Sequence, residues 1–132
     1  MKIKKLFQKI PHKAIKGPKE IKITGLASDA KTVAPGNLFL AKKGKNFDGA
    51  DFIAEAVAAG AAAVVSDFYN PFFKQLAQII HDDAGSIEAE IAATYYGFPS
   101  RKLFVAGVTG TNGKTTTAYL IRHFLEQNQK PT

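Results

Sequence analysis

The sequence predicts an α/β fold in two parts: a small α/β domain over residues 21–99, then, at residues 100–132, the first β-strand, a glycine-rich loop and a helix of a second, incomplete α/β domain. Short apolar segments typical of buried strands alternate with helix-forming segments through residues 21–99. Near the C-terminus, a glycine-rich turn stands between another apolar segment and a helix-forming one. With 45% apolar residues, the 132-residue chain has enough material for a core.

Residues 1–20 form a basic amphipathic segment ahead of the first domain. Four apolar residues at helical spacing predict a short helix with one apolar stripe: Ile3, Leu6, Phe7 and Ile10. Residues 1–22 contain eight lysines against Glu20 alone, a net charge of +7, whereas the other 110 residues contain ten basic and ten acidic side chains. We interpret the segment as a docked helix with a solvated lysine face. Binding to an anionic surface, either a membrane or a nucleic acid, is the alternative.

The first domain is predicted to contain four strands and two helices. Strands are expected at residues 21–24, 37–41, 61–65 and 78–80, because each is apolar or alternating and is bordered by turn residues. The first helix is expected over residues 50–59, with Gly60 as its stop and an inward stripe of Phe52, Ile53, Ala56 and Val57. Ser86 is the expected N-cap of a second helix that runs to about Tyr96.

The glycine-rich turn at residues 109–117 has the features of a phosphate-binding loop. An apolar strand predicted at residues 103–108 leads into it, and a helix with an apolar face follows. Gly110 and Gly113 allow backbone N–H groups to approach phosphate oxygens, and the helix N-terminus adds a partial positive charge. Lys114 is placed to reach the β- and γ-phosphates of a nucleotide, and the Thr115 hydroxyl suits a Mg²⁺ ion.

The loop departs from the strict pattern at one position, since Val108 stands where a glycine is usual, five residues before Gly113. An ordinary glycine turn with a surface lysine is therefore the alternative. A phosphate-loop domain also needs several parallel strands and a later acidic residue for the metal, but only 15 residues follow Thr117. Because one strand and one helix cannot bury their own apolar faces, we expect this domain to be truncated or completed by another polypeptide.

Composition excludes several classes of site. The chain has no cysteine, which excludes disulfides, zinc–thiolate sites and thiol catalysis. No apolar run approaches the ~20 residues of a membrane span, and no apolar core of a secretory signal follows the first lysines, so we expect a cytoplasmic protein.

Three further features are interpreted as structural: the scattered histidines His12, His81 and His123, the strand-end pair Asp82-Asp83, and the turn pair Asp48-Gly49.

Several motifs, in this order, resemble the Mur ligase family. Residues 28–31, 33–41, 44 and 48–49 resemble its N-terminal domain, and residues 52–61 continue the likeness at the family's spacing. Tyr-Tyr-Gly-Phe-Pro-Ser at residues 95–100 and Gly-Val-Thr-Gly-Thr-Asn-Gly-Lys-Thr-Thr at residues 107–116 complete it. The resemblance covers about residues 20–127. Within the family, the loop and the Tyr-Tyr-Gly-x-Pro-Ser segment are most similar to the tripeptide synthetases, and ligases that add D-alanyl-D-alanine come next.

The resemblance implies an ATP-dependent ligase of peptidoglycan precursor synthesis, with ATP and Mg²⁺ as cofactors. A tripeptide synthetase adds a diamino acid, meso-diaminopimelate or lysine, to UDP-N-acetylmuramoyl-L-alanyl-D-glutamate. ATP phosphorylates the terminal carboxylate of this substrate, and the incoming amine attacks the acyl phosphate. Both substrates are therefore the expected partners, together with the remainder of the ligase in the same or a separate chain; no nucleic acid is expected.

By position, the resemblance also implies two sets of site residues. It assigns contacts with the uridine nucleotide to Ser28, Ala30, Lys45, Asn46 and Phe47. It assigns ATP binding to Gly110, Thr111, Asn112, Gly113, Lys114, Thr115 and Thr116, with Lys114 catalytic and Thr115 at the metal. In the uridine set, Ala30 stands where the family usually has a serine, and Lys31 where it usually has an arginine. Alanine lacks the hydroxyl that would hydrogen-bond the ligand.

The family's remaining magnesium ligands and amino-acid-binding domain are expected beyond Thr132, so the isolated chain is expected to lack ligase activity. Two other readings remain open at this point. The first is a stand-alone UDP-sugar-binding module or a subunit of a split ligase. The second is an unrelated phosphate-loop fragment with a basic arm.

Overall fold

The computed structural model describes residues 1–45 and 47–128. It divides into two compact units, Met1–Pro99 and Ser100–Thr132. The strands of the described residues all lie in the first unit, whereas the second unit contains a helix of 14 residues. None of the helices in these residues is long and apolar enough to cross a membrane.

The first unit is built on a five-stranded sheet with the order β1-β5-β4-β3-β2. Its strands are β1 (Ala14–Lys16), β2 (Gly25–Ala27), β3 (Asn37–Leu40), β4 (Ala63–Ser66) and β5 (Ala77–Ile80). Strands β2 to β5 are parallel, with Ala63 opposite both Leu38 and Ala77, whereas β1 runs antiparallel to β5 at the edge. The predicted α/β class is confirmed.

Helices pack on both faces of this sheet. They are α1 (Ile3–Leu6), α2 (Ile53–Ala58) and α3 (Glu88–Tyr95). A fourth helix, α4 (Lys114–Gln127), belongs to the second unit. Successive strand residues point to opposite faces, so Leu38, Val65 and Ile79 pack with α1 and α3. Phe39 and Val64 pack on the other face with α2. Burial on both faces explains why residues 38–40 of β3 and 63–65 of β4 are continuously apolar in the sequence.

The basic N-terminal segment is part of the first core. Its predicted apolar stripe is exposed by no more than 2%: Ile3, Leu6, Phe7 and Ile10. The Ile3 N–H donates to the Ile21 carbonyl at 3.0 Å, and a single antiparallel bridge joins Lys2 to Lys22. Residues 21–24, predicted as a strand of the sheet, therefore pair with the N-terminus, and β2 begins later, at Gly25.

Two further local features differ from the prediction. The three residues of β1 are too few to show a period-two pattern, so this strand is defined only by its pairing with β5. Ser86 is not the N-cap of α3, because Ile87 occupies that position. The Asp83 carboxylate holds the turn before α3 instead, accepting hydrogen bonds from the N–H groups of Gly85 (2.9 Å) and Ser86 (3.2 Å).

A buried glutamine in β5 fixes the loop after β4. Gln78 is 1% exposed. Its Nε2 donates to the carbonyls of Asn70 (2.8 Å) and Phe73 (3.0 Å), and its Oε1 accepts from the Asn70 N–H (2.8 Å). A buried polar side chain is tolerated when it is hydrogen-bonded in this way.

In the second unit, the predicted helix α4 is present but the strand predicted at residues 103–108 is not formed. A strand is defined by hydrogen bonds to a neighbouring strand, and none pairs with this segment in the described part of the unit. The apolar side chains of α4 are exposed, with Leu120 at 53% and Phe124 at 64%.

Candidate functional site

A cavity of about 380 Å³ opens at the carboxyl ends of β2 and β3. In an open parallel sheet, the loops after the strands collect at this edge, and ligands bind there. The lining side chains come from the turn after β2, from β3 and from the loop after β3: Ser28, Asp29, Ala30, Lys31, Phe39, Lys42, Phe47, Gly49 and Phe52. Three residues predicted to contact a uridine nucleotide are therefore brought together: Ser28, Ala30 and Phe47.

The turn after β2 forms the first wall of the cavity. Asp29 caps a short 3₁₀ turn, Ala30–Thr32, because its carboxylate accepts a hydrogen bond from the Lys31 N–H at 3.0 Å. Ala30 is 5% exposed and packs in the core on the α2 face. The Ser28 side chain is exposed, and its hydroxyl makes no hydrogen bond within residues 1–45 and 47–128. Side-chain polarity toward a ligand therefore comes from Ser28, Asp29 and Lys31.

The loop after β3 forms the second wall. A backbone bridge between Lys43 and Asp48 closes this loop, and the Gly44 N–H donates to the Phe47 carbonyl at 2.9 Å. Lys45, predicted to contact the uridine nucleotide, is exposed on the loop but does not line the cavity. Asn46, predicted for the same role, lies outside the described residues.

The Asp48-Gly49 pair holds this loop against the end of β3. The Asp48 carboxylate accepts from the Ala50 N–H at 2.9 Å, and the Gly49 N–H donates to the Lys42 carbonyl at 2.9 Å. A Cβ at position 49 would lie 2.5 Å from the backbone N and O of Lys42. Backbone atoms cannot move aside as a side chain can, so only glycine fits here. The pair acts as scaffold, as the turn interpretation predicts.

Three phenylalanines give the cavity its apolar surface. Phe39 is buried in β3, whereas Phe47 and Phe52 are 57% and 39% exposed. The rings of Phe47 and Phe52 meet edge to face, with centroids 6.3 Å apart. Exposed aromatic rings beside a cavity are suited to stacking against a planar base. Phe39 and Phe52 are not predicted as site residues, and Phe52 is assigned from the sequence to the buried stripe of a helix.

Lys42 lines the cavity wall, where its ammonium group is paired with a carboxylate. Its Nζ donates to both carboxylate oxygens of Glu88, at 3.0 and 2.9 Å. The two side chains are about one-third exposed, so this ion pair ties the end of β3 to the first turn of α3. Forty-six positions separate the partners, and no short sequence pattern connects them.

A second, acidic cleft of about 260 Å³ lies at the carboxyl ends of β3, β4 and β5. A hydrogen bond from Lys43 to the Asp67 carboxylate, followed by their charge attraction, raises the pKa of Lys43. At its other side, a hydrogen bond from Lys13 lowers the pKa of Asp82. Among the described residues, no group of three or more histidine, aspartate or glutamate side chains is placed to hold a metal ion.

The phosphate loop lies in the second unit. Gly113 adopts φ +73°, the left-handed conformation that favours glycine, and stands as the N-cap of α4 without a side-chain cap. The first N–H groups of α4 therefore have no capping side chain in the described chain. Lys114 folds back over the loop, with Nζ 2.6 Å from the Gly110 carbonyl oxygen and 3.4 Å from that of Thr111. Thr115 and Thr116, assigned to ATP binding with Asn112, are exposed in the first turn of α4.

Known proteins resemble both units of this chain. The sequence pattern of the Mur ligase family, catalytic domain, matches residues 22–96, and that of the Mur ligase middle domain matches residues 108–132. The UDP-N-acetylmuramoyl-L-alanyl-D-glutamate–2,6-diaminopimelate ligase of Chlamydia caviae is 42% identical over the whole chain, and that of Gloeobacter violaceus is 45% identical over 86% of it. The chain spans 27% and 23% of the lengths of these two relatives.

Solved structures of related ligases share the fold. The UDP-N-acetylmuramoylalanyl-D-glutamyl-2,6-diaminopimelate–D-alanyl-D-alanyl ligase of Acinetobacter baumannii matches 96% of this chain and 28% of its own, with a TM-score of 0.66 and 25% identity. The MurF ligase of Thermotoga maritima, solved in complex with ADP, matches 83% of this chain and 25% of its own, with a TM-score of 0.59 and 29% identity. Since the catalytic-domain pattern alone covers more than half of the sequence, the chain belongs to the Mur ligase family.

Proposed function

We propose that residues 21–99, together with the N-terminal segment that packs into the same core, form the substrate-nucleotide domain of an ATP-dependent ligase, and that residues 100–132 form the start of its ATP-binding domain. This ligase would add 2,6-diaminopimelate to UDP-N-acetylmuramoyl-L-alanyl-D-glutamate. The observation that carries the proposal is that one chain of this family holds both an aromatic-lined cavity and a phosphate loop. The name shared by the relatives from Chlamydia caviae and Gloeobacter violaceus favours diaminopimelate over lysine as the added amino acid.

The uridine end of the substrate would bind in the cavity of the first unit. The exposed ring of Phe47 offers a stacking surface for the uracil, and the unpaired Ser28 hydroxyl offers both a hydrogen-bond donor and an acceptor. Because the Ala30 side chain is buried in the core, its contact would be made by the backbone. Lys45 and Asn46 complete this proposed set from the loop after β3.

The phosphates of ATP would lie on the loop formed by Gly110, Thr111, Asn112 and Gly113. The uncapped N–H groups of α4 fit an anion, and so does the open space beside Gly113, where a Cβ would meet nothing within 4 Å beyond the adjacent residues. Lys114 would leave its carbonyl partners to contact the β- and γ-phosphates. The exposed hydroxyl of Thr115 would hold Mg²⁺, which neutralises phosphate charge when it is bound.

The reaction itself has two steps. A carboxylate oxygen of the D-glutamyl residue bonds to the γ-phosphorus of ATP, and the bond to the ADP oxygen breaks. The amine of diaminopimelate then attacks the acyl carbon, phosphate leaves with the bonding electron pair, and the nitrogen loses a proton. Lys114 and the loop N–H groups stabilise the charge of the transferring phosphoryl group. We assign the amino-acid-binding site to the part of the relatives' sequences that this chain does not cover.

Calorimetric titration of UDP into the chain tests the nucleotide assignment. Phe47→Ala removes the stacking ring and is expected to weaken binding about tenfold, since stacking of one base contributes about 1–3 kcal/mol. Phe72→Ala is the matched control, because Phe72 is an exposed phenylalanine, at 86%, outside the cavity. Equal affinities of the two variants would contradict the assignment.

A binding module without ligase activity is the second candidate, because the cavity lies entirely within the first unit, which has its own two-sided core. An antibody against this unit separates the candidates when it is used to capture the native product. A product much larger than 132 residues that releases ADP with both substrates present supports the ligase. A product of this chain's size without ADP release supports the binding module.

A further inference from the structure

Four lysines at the start of the chain form a charged surface that neither the cavity nor the phosphate loop uses. We call this surface the lysine face: Lys2, Lys4, Lys5 and Lys22. The whole net charge of the chain, +7, resides in residues 1–22. An unbalanced charge of this density costs self-repulsion in the free protein, and a partner of opposite sign would relieve that repulsion.

The fold gathers these side chains on one side of the first unit. Lys2 and Lys22 are bridge partners, and Lys2, Lys4 and Lys5 line one open groove of about 310 Å³. Glu20 is the acidic side chain that lines the same groove, and Lys2 holds it at 2.7 Å. The Lys2 hydrogen bond lowers the pKa of Glu20, and the charge of Lys4 adds to that effect. One carboxylate against four ammonium groups leaves the face strongly positive.

The lysine face is presented from a fixed base. The Leu6 and Phe7 side chains beneath it are no more than 1% exposed, and the Met1 ammonium group donates to the Ile23 carbonyl at 3.0 Å. The apolar side of α1 is therefore committed to the core and cannot insert into another apolar phase. Any partner is attracted by charge alone, which predicts a weak, reversible and salt-sensitive contact.

We propose that the lysine face binds the anionic headgroups of a lipid surface. Residues 1–100 contain no arginine, the residue that reads phosphate and base edges with two parallel hydrogen bonds. Residues 1–22 contain one phenylalanine, Phe7, and no tyrosine or tryptophan. Because Phe7 is buried, this segment offers no such ring for base stacking. Lysines are flexible point charges, and several of them together suit mobile phosphate headgroups better than a nucleic acid.

Co-sedimentation of the chain with vesicles tests the proposal. Vesicles containing about 30% phosphatidylglycerol are expected to bind the chain, whereas pure phosphatidylcholine vesicles are not. The double variant Lys4→Gln, Lys5→Gln is expected to partition about 25-fold more weakly, since each lysine near an anionic surface contributes about fivefold. Lys74→Gln with Lys102→Gln is the matched control, because both lysines are exposed and neither belongs to the lysine face. Raising the salt from about 0.1 M to about 1 M is expected to release the wild-type chain.

Four results would overturn the proposal. Equal binding to neutral vesicles would assign the attraction to the exposed apolar side chains of α4. Equal losses in the two double variants would assign it to general charge. Displacement by millimolar inorganic phosphate would indicate a discrete phosphate site, and duplex DNA binding more tightly than the anionic vesicles would indicate a nucleic acid. Far-UV circular dichroism identical to wild type shows that each variant is folded.

Discussion

Replacement of Gly49 by alanine tests how closely the cavity depends on backbone packing. The new Cβ would lie 2.5 Å from the Lys42 N and O atoms and 2.6 Å from the Ala41 carbonyl carbon. Relief of this overlap requires the loop to move away from β3, which breaks the 2.9 Å hydrogen bond from the Gly49 N–H to the Lys42 carbonyl. Because Gly49 does not have a positive φ, the effect isolates steric overlap from backbone conformation.

The magnitude follows from three contributions. Overpacking costs about 1–3 kcal/mol, and loss of the hydrogen bond costs about 1 kcal/mol. Reduced freedom of the unfolded chain returns about 0.4–1 kcal/mol when alanine replaces glycine. The sum lies between about 1 and about 4 kcal/mol, and we expect Gly49→Ala to lower the free energy of unfolding by about 2 kcal/mol, which corresponds to a fall in Tm of about 10 °C for a unit of this size.

Urea unfolding followed by far-UV circular dichroism measures this change, and titration with UDP measures its effect on the cavity. Gly107→Ala is the matched control, because a Cβ at this position would meet nothing within 4 Å and Gly107 does not have a positive φ. We expect the control to change the free energy of unfolding by about 0.5 kcal/mol or less. Equal stabilities of the two variants would refute the assignment of Gly49 as a position that only glycine can fill.

Three other predictions concern separate parts of the molecule. Gln78→Leu removes three hydrogen bonds to the loop after β4 and should lower the free energy of unfolding by about 2 kcal/mol, measured by urea unfolding; no loss would contradict the role of Gln78. Since Lys13 lowers the pKa of Asp82, the pair stabilises the fold above the ordinary aspartate pKa, and this stability is lost as the pH falls through the lowered value. Lys13→Gln should raise the Asp82 pKa toward its ordinary value in an NMR titration, and an unchanged midpoint would exclude the pair as its cause. In the intact ligase, Lys114→Ala should abolish ADP release while UDP binding persists, and substantial turnover would refute its role.

The central strands of the fold are predictable because strands that are buried on both faces consist mainly of consecutive apolar residues. Residues 38–40 and 63–65 are apolar on both faces, and both segments lie in strands near their expected bounds. Residues 21–24 also show a strand pattern, yet their backbone pairs with the N-terminus. The edge strand β1 shows no pattern of its own. Pairing between distant segments decides both cases, and local sequence does not encode it.

The cavity is predictable only in part, for a related reason. The places of Ser28, Ala30 and Phe47 in the cavity are predicted from a motif. Lys42 is not predicted, because the ion pair that holds its side chain is made with Glu88, which is distant in sequence. Phe52 has helical spacing with Ile53 and Ala56, but it lies in a 3₁₀ turn at the cavity rather than in the core. Its side chain is therefore exposed at a position where an ideal helix would bury it.

NMR titration of the ¹⁵N-labelled chain tests the central claim, that the first unit binds a uridine nucleotide and the second binds the phosphates of ATP. UDP is expected to shift the amide signals of residues 28–31 and 45–49, and ATP with Mg²⁺ is expected to shift those of residues 110–116. The cavity and the loop belong to different units, so the two sets of signals report on the two sites separately. If UDP shifts only the loop at residues 110–116, or shifts no signal of the first unit, the assignment of the cavity is wrong.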